Sequence, residues 1–96
     1  MVNKFQVAGT HLQGQIEAHY YDLIKAFGKP KQVGEDKFHF EWEVPTNAGI
    51  ATIYKGEALE LYPQYNRIWS VGGHTSEVVP LIQEILEENL GRVSTI

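Results

Sequence analysis

Apolar and polar residues alternate most sharply over KFHFEWEV (37–44), where Phe38, Phe40, Trp42 and Val44 point one way and His39, Glu41 and Glu43 the other. A period of two is the mark of a half-buried strand. PTNAG (45–49) holds three turn-forming residues, and IATIY (50–54) returns, so residues 37–55 read as an antiparallel hairpin. A second alternation, LQGQIEA (12–18), sets Leu12, Gly14, Ile16 and Ala18 against Gln13, Gln15 and Glu17. It predicts a strand weakened at Gly14. KFQVA (4–8) can add a short first strand, and RIWSV (67–71) reads as the last one. GEALELYPQYN (56–66) alternates at Leu59 and Leu61 until Pro63 breaks it, and KQVGED (31–36) reads as a polar loop.

The period changes to 3.6 twice. In HYYDLIKAFGKP (19–30), Tyr20, Leu23, Ile24 and Phe27 form one stripe, with Gly28 placed for a left-handed cap and Pro30 beyond it. Over 76–90, Val78, Leu81, Ile82, Ile85 and Leu86 form a second stripe, Glu84, Glu87 and Glu88 face water, and Gly91 ends the helix. Pro80 requires either a start near Val79 or a bent helix from Ser76, because its ring opposes the Ser76 carbonyl. The order is strands, helix, strands, helix. It predicts an α+β fold, an antiparallel sheet of about four to five strands with two helices on one face. Ninety-six residues without a repeat or a linker make a single domain, 1–96.

Composition removes several function classes. The chain has no cysteine, which excludes disulfides, thiol catalysis and Cys-ligated zinc. The start MVNKFQVAGT lacks an apolar run of signal-peptide length, and no segment reaches membrane-span length, so a cytoplasmic protein is expected. The net charge is −4 with scattered basic residues, which argues against gripping duplex nucleic acid. A small anion needs only one or two cations and aimed backbone N–H groups.

WSVGGHTSEVVPL (69–81) is the segment that offers such groups. Gly72, Gly73, His74, Thr75 and Ser76 lie between a strand and a helix start, where N–H groups are unpaired and the helix dipole is positive. Glu77 competes for the same dipole. Two readings stay open: an anion cradle, or a turn in which the glycines bend the chain and Thr75 caps the helix. His39, Glu41 and Glu43 are a metal-ligand set on paper and a solvated sheet face otherwise. Ser70, His74 and Glu77 could be written as a triad, but no nucleophile-elbow sequence surrounds Ser70. Tyr62 and Tyr65 flank Pro63 ahead of Arg67, a pattern suited to base stacking or to a subunit interface.

LQGQI, LIKAFGKP, FEWEV, ATIY and WSVGGHTSEVV, in this order over about residues 12–86, resemble a family of small accessory proteins of tailed bacteriophages. The shared pattern is Leu-Gln-Gly-x-Ile, Phe-Gly-x-Pro, Thr-Ile-Tyr and Trp-x-Val-Gly-Gly. Family members usually carry Asp and Trp or Tyr after the Thr-Ile-Tyr, where this chain has Lys55-Gly56. The resemblance implies a role against host defence. The expectation is a cytoplasmic binding protein, not an enzyme, without cofactor or metal. It would sequester a phosphate-bearing small molecule such as a cyclic nucleotide signal, in a homo-oligomer. The backbone of Gly73 to Ser76 would hold phosphate, Arg67 or Lys55 would add charge, and Tyr54, Tyr65 or Trp69 would stack a base. The rival expectation is an inhibitor that binds a host protein directly or mimics nucleic acid.

Overall fold

The computed structural model describes residues 9–32, 40–55 and 63–91. Strand β1 is His11–Glu17, helix α1 is Tyr20–Phe27, β2 is Lys31–Gln32, β3 is Phe40–Thr46, β4 is Gly49–Tyr54, β5 is Ile68–Gly73 and helix α2 is Val78–Asn89. A 3₁₀ turn, Pro63–Tyr65, precedes β5. The strands form one antiparallel sheet in the order β1-β5-β4-β3-β2. The two edge strands, β1 and β2, therefore run parallel to each other. The α+β class is as the pattern predicts, with both helices packed on the same sheet face.

That face is defined by Ile16, Trp42, Val44, Ala51, Ile53, Trp69 and Val71, which bury against Leu23 of α1 and Val78, Ile82 and Leu86 of α2. Its centre is aromatic. Trp69 is fully buried, meets Trp42 edge-on at 5.4 Å and stacks with Tyr20 at 6.2 Å. Both indole N–H groups are used to tie helix α1 at its two ends. Trp69 Nε1 donates to the Ala18 carbonyl just before α1 (2.9 Å), and Trp42 Nε1 donates to the Gly28 carbonyl just after it (2.8 Å). Gly28 caps α1 at φ 86°, as its position predicts, and its N–H bonds the Ile24 carbonyl.

Three local expectations change, and the start of the last helix falls at the later of its two alternatives. The 31–36 stretch is not wholly loop, since Lys31 and Gln32 pair with Glu41 and Phe40. Between Leu12 and Gly14 the β1–β5 register slips by one residue, so Leu12 loses the alternation with Ile16 and is 61% exposed. Pro45 pairs with Ile50 inside the hairpin, and the turn shrinks to Asn47-Ala48. Helix α2 begins at Val78, which places Pro80 in the first turn where a missing N–H costs nothing. The expected strand at 4–8 and the ambiguous stretch 56–62 lie outside the described residues. Among the described residues, no helix is long and apolar enough to cross a membrane.

The Trp69 indole has two roles, filling the core and satisfying the Ala18 carbonyl. Trp69→Phe removes the donor and leaves that buried acceptor unpaired, so a loss of about 1–3 kcal/mol is expected in urea unfolding. A loss near zero would mean that the carbonyl has another partner.

Candidate functional site

Gly72 and Gly73 do not form a turn. They are the last two residues of β5 and pair with Leu12 and His11 of β1. Neither has a positive φ, so their glycine identity answers to space and not to backbone shape. A Cβ on Gly73 would sit 2.6 Å from Val78 Cγ2, on the helix side of the sheet. A Cβ on Gly72 would sit 2.6 Å from Thr52 Oγ1 and 3.6 Å from Tyr54 Cε1, on the other side. The room left by both missing side chains is thus taken by the protein itself. The Gly73 carbonyl accepts from Gln13 Nε2 at 2.9 Å.

The segment after the glycines leads into α2 through tight turns, with Glu77 at the N-cap and no side-chain cap hydrogen bond. Thr75 Oγ1 accepts from the Glu77 N–H at 3.4 Å, a long contact, and the Thr75 and Ser76 carbonyls accept from the N–H groups of Val78 and Val79. Glu77 itself stands in front of α2 in helical backbone geometry, its carboxylate adding a negative charge where a phosphate would go. The His74 ring lies beside two glycines of positive φ, 3.6 Å from where a Cβ on Gly9 would be and 3.7 Å from one on Gly49. Ser70 is buried in β5, four residues from His74, about 13 Å along an extended chain, so the written triad does not assemble.

The other expected ligand residues are not gathered around this segment. Arg67 precedes β5 at the opposite end from Gly73, six residues or about 20 Å away. Trp69, expected among the stacking rings, is fully buried and has no face to offer. Tyr65 is 62% exposed in the 3₁₀ turn, on the Arg67 side. Tyr54 ends β4 opposite Ser70 with its ring against Gly72, and Lys55 follows it, already in contact with other groups. Only Tyr54 among the expected stacking or charged residues is thus brought to the glycines.

Among the described residues, two clefts flank α2. One, of about 200 Å³, is lined by Glu17, Ala18, His19, Asp22, Arg67, Gln83, Leu86 and Glu87. The other, of about 350 Å³, is lined by Pro45, Thr46, Asn47, Leu81, Glu84, Ile85 and Glu88. The first holds Arg67, the one expected residue that reaches either cleft. The rest were not legible as site residues, because they come together only through the pairing of β1 with β5 and the placement of α2 across them. Three carboxylates against one guanidinium make this cleft unfavourable for a phosphate.

On the face away from the helices, register alone builds a row across all five strands: Lys31, Glu41, Tyr54, Ser70 and Gln15. Lys31 Nζ reaches Glu43 at 3.4 Å. Burial, and secondarily the Glu43 carboxylate, push the Glu41 carboxyl above its ordinary value, against a smaller opposing pull from Lys31. His39, the third member of the set that could ligate a metal on paper, lies outside the described residues, and among these no group of three metal-binding side chains meets. No family model, curated protein or solved structure matches the chain.

Two outcomes follow from this geometry. If Gly73 serves packing, Gly73→Ala costs about 1–3 kcal/mol by overpacking, and Val78→Ala offsets part of it, so the double variant loses less than the sum of the singles. Additive losses in urea melts would remove the contact from the account. For Glu41, a raised folded-state value means that the native protein binds the proton more tightly than the unfolded chain. Its stabilising share is full below the ordinary value near 4.5 and is lost as pH rises through the raised one. Relative to Glu41→Gln, the wild type should lose stability across that window, and a flat difference would contradict the burial.

Proposed function

We propose that this chain is a non-catalytic binding protein that docks on a basic surface of another protein through helix α2. The observation that carries this reading is the charge of the helix. Glu84, Glu87 and Glu88 are exposed, no basic residue occurs in Val78–Asn89, and Glu77, about two turns before Glu84, extends the acidic side. From Glu77 to Glu88 the carboxylates cover roughly 16 Å along the axis. Both clefts run beside this ridge, Glu87 walling one and Glu84 with Glu88 the other. A ridge between two grooves can seat a convex basic partner, and opposite charge speeds and orients such encounters. A surface that otherwise holds a polyanion is the natural complement. In the setting that the resemblance to phage accessory proteins implies, the partner would be a host protein.

Sequestration of a phosphate-bearing nucleotide signal is the second reading. The observation on its side is that the Arg67 guanidinium makes no ion pair among the described residues. Since Arg67 and Gly73 stand about 20 Å apart within one chain, a homo-oligomer would have to bring one copy's Arg67 to another's Gly73–Ser76 segment. Thermal melting with cyclic di- and trinucleotides addresses it. A bound nucleotide at 100 times its Kd adds about 2.7 kcal/mol, and no shift with any of them removes this reading.

For the docking reading, the measurement is stoichiometric capture of a basic protein from a bacterial lysate by wild type and by Glu84→Gln/Glu88→Gln. Loss of two carboxylates should weaken capture roughly tenfold, and the wild-type complex should dissolve as salt rises from about 0.1 to 1 M, where the screening length shrinks from about 10 to 3 Å. Equal capture by the variant, or capture that salt does not touch, would contradict it.

A further inference from the structure

The smaller cleft has a chemistry of its own. Its floor is fixed by the main chain. The Ala18 N–H donates to the Arg67 carbonyl at 2.8 Å, and the Ala18 carbonyl accepts the Trp69 indole N–H at 2.9 Å. These two bonds hold the end of β1, the start of α1 and the residue before β5 side by side. The second and third turns of α2 close the remaining side with Gln83, Leu86 and Glu87, which share a face at i, i+3 and i+4. Ala18 and Leu86 are buried and give the cleft an apolar patch between its charges.

The charges are held apart. Arg67, Glu17 and Glu87 all line the cleft, yet none of the three side chains makes a hydrogen bond or an ion pair among the described residues. Asp22, in the same wall, is already engaged. An anionic and a cationic anchor thus face one cleft with a short apolar stretch beside them. A ligand that matches carries a carboxylate for Arg67, which can take it with two parallel N–H donors. It carries a cationic group for Glu17 and Glu87, and a methylene stem to lie on Ala18 and Leu86. A volume of about 200 Å³ lies below the range of drug-sized pockets, about 300–1,000 Å³, and suits a ligand of amino-acid size, not a dinucleotide.

We infer that the cleft between Glu17, Arg67 and Glu87 binds a free basic amino acid, with its carboxylate on Arg67 and its side-chain cation on Glu17 and Glu87. This site uses the β1 side of α2, whereas the docking ridge is tested at Glu84 and Glu88 on the opposite side. The two can fail separately.

The experiment is an amide NMR titration of the intact chain with L-arginine and with agmatine, which keeps the guanidinium and stem but lacks the carboxylate. L-Arginine should bind in the millimolar range and move the amides of Glu17 to His19, Arg67 and Gln83 to Glu87, with agmatine about fivefold weaker or more. Arg67→Gln should bring L-arginine down to the agmatine level, and Glu87→Gln should weaken both ligands. All three side chains are exposed, so the variants should melt with the wild type. The inference is overturned if L-arginine moves none of these amides up to about 20 mM, well above a millimolar Kd. It is also overturned if agmatine binds as tightly as L-arginine, or if Arg67→Gln leaves their ratio unchanged.

Discussion

The first turn of helix α2 seats on the sheet where two side chains are missing. Val78 comes so close to Gly73 that an added Cβ would lie 2.6 Å from its methyl, and Val79 stands 3.1 Å from the same virtual position on Gly14. Two adjacent strands, β1 and β5, each give up a side chain at the point where the first turn of α2 crosses them. Dispersion contacts fall off within fractions of an ångström, so this approach decides how well Val78, Ile82 and Leu86 fill the space above Val71 and Trp69. The aromatic centre and the seat of α2 then support one another. Trp69 holds Ala18, Ala18 holds Arg67 through the main chain, and α2 lies over all three elements.

The charge distribution is a consequence of that seating. With Val78, Ile82 and Leu86 turned inward, the helical period sends Glu84, Glu87 and Glu88 outward, and no basic residue on α2 offsets them. The helix lies with a cleft on each side, so its carboxylates become the walls of both. The same seating uses up the glycine segment. What the sequence offers as an approach for a ligand, the fold fills with Thr52 on one face and Val78 on the other. Among the described residues, these two clefts and the carboxylates that wall them therefore lie beside α2.

Much of the architecture was legible in advance, and the parts that were not share a physical cause. The alternation of Phe40, Trp42 and Val44 and the stripe Tyr20-Leu23-Ile24-Phe27 are local signals that burial preserves, so the hairpin and α1 form where the pattern places them. Gly28 caps α1 because its backbone needs φ 86°, a property of one residue. The β1 bulge and the pairing of Lys31-Gln32 depend on a partner strand, which no local period reveals. Gly72 and Gly73 carry the same ambiguity in sharper form. Glycine serves a turn, a ligand or a close-packed neighbour equally well, and only the position of Val78 tells which. The cleft residues Glu17, Arg67 and Glu87 come from three distant stretches and line one cleft only through the pairing of β1 with β5 and the placement of α2 across them.

The claim on which these relations rest is that the glycine pair is a seat for α2. Nuclear Overhauser contacts between the Gly73 α-protons and the Val78 methyls measure it directly in solution. The account predicts strong contacts, with matching ones between Gly14 and Val79. Their absence, with Gly73 amides that move when inorganic phosphate is added, would contradict it and return the segment to an anion cradle.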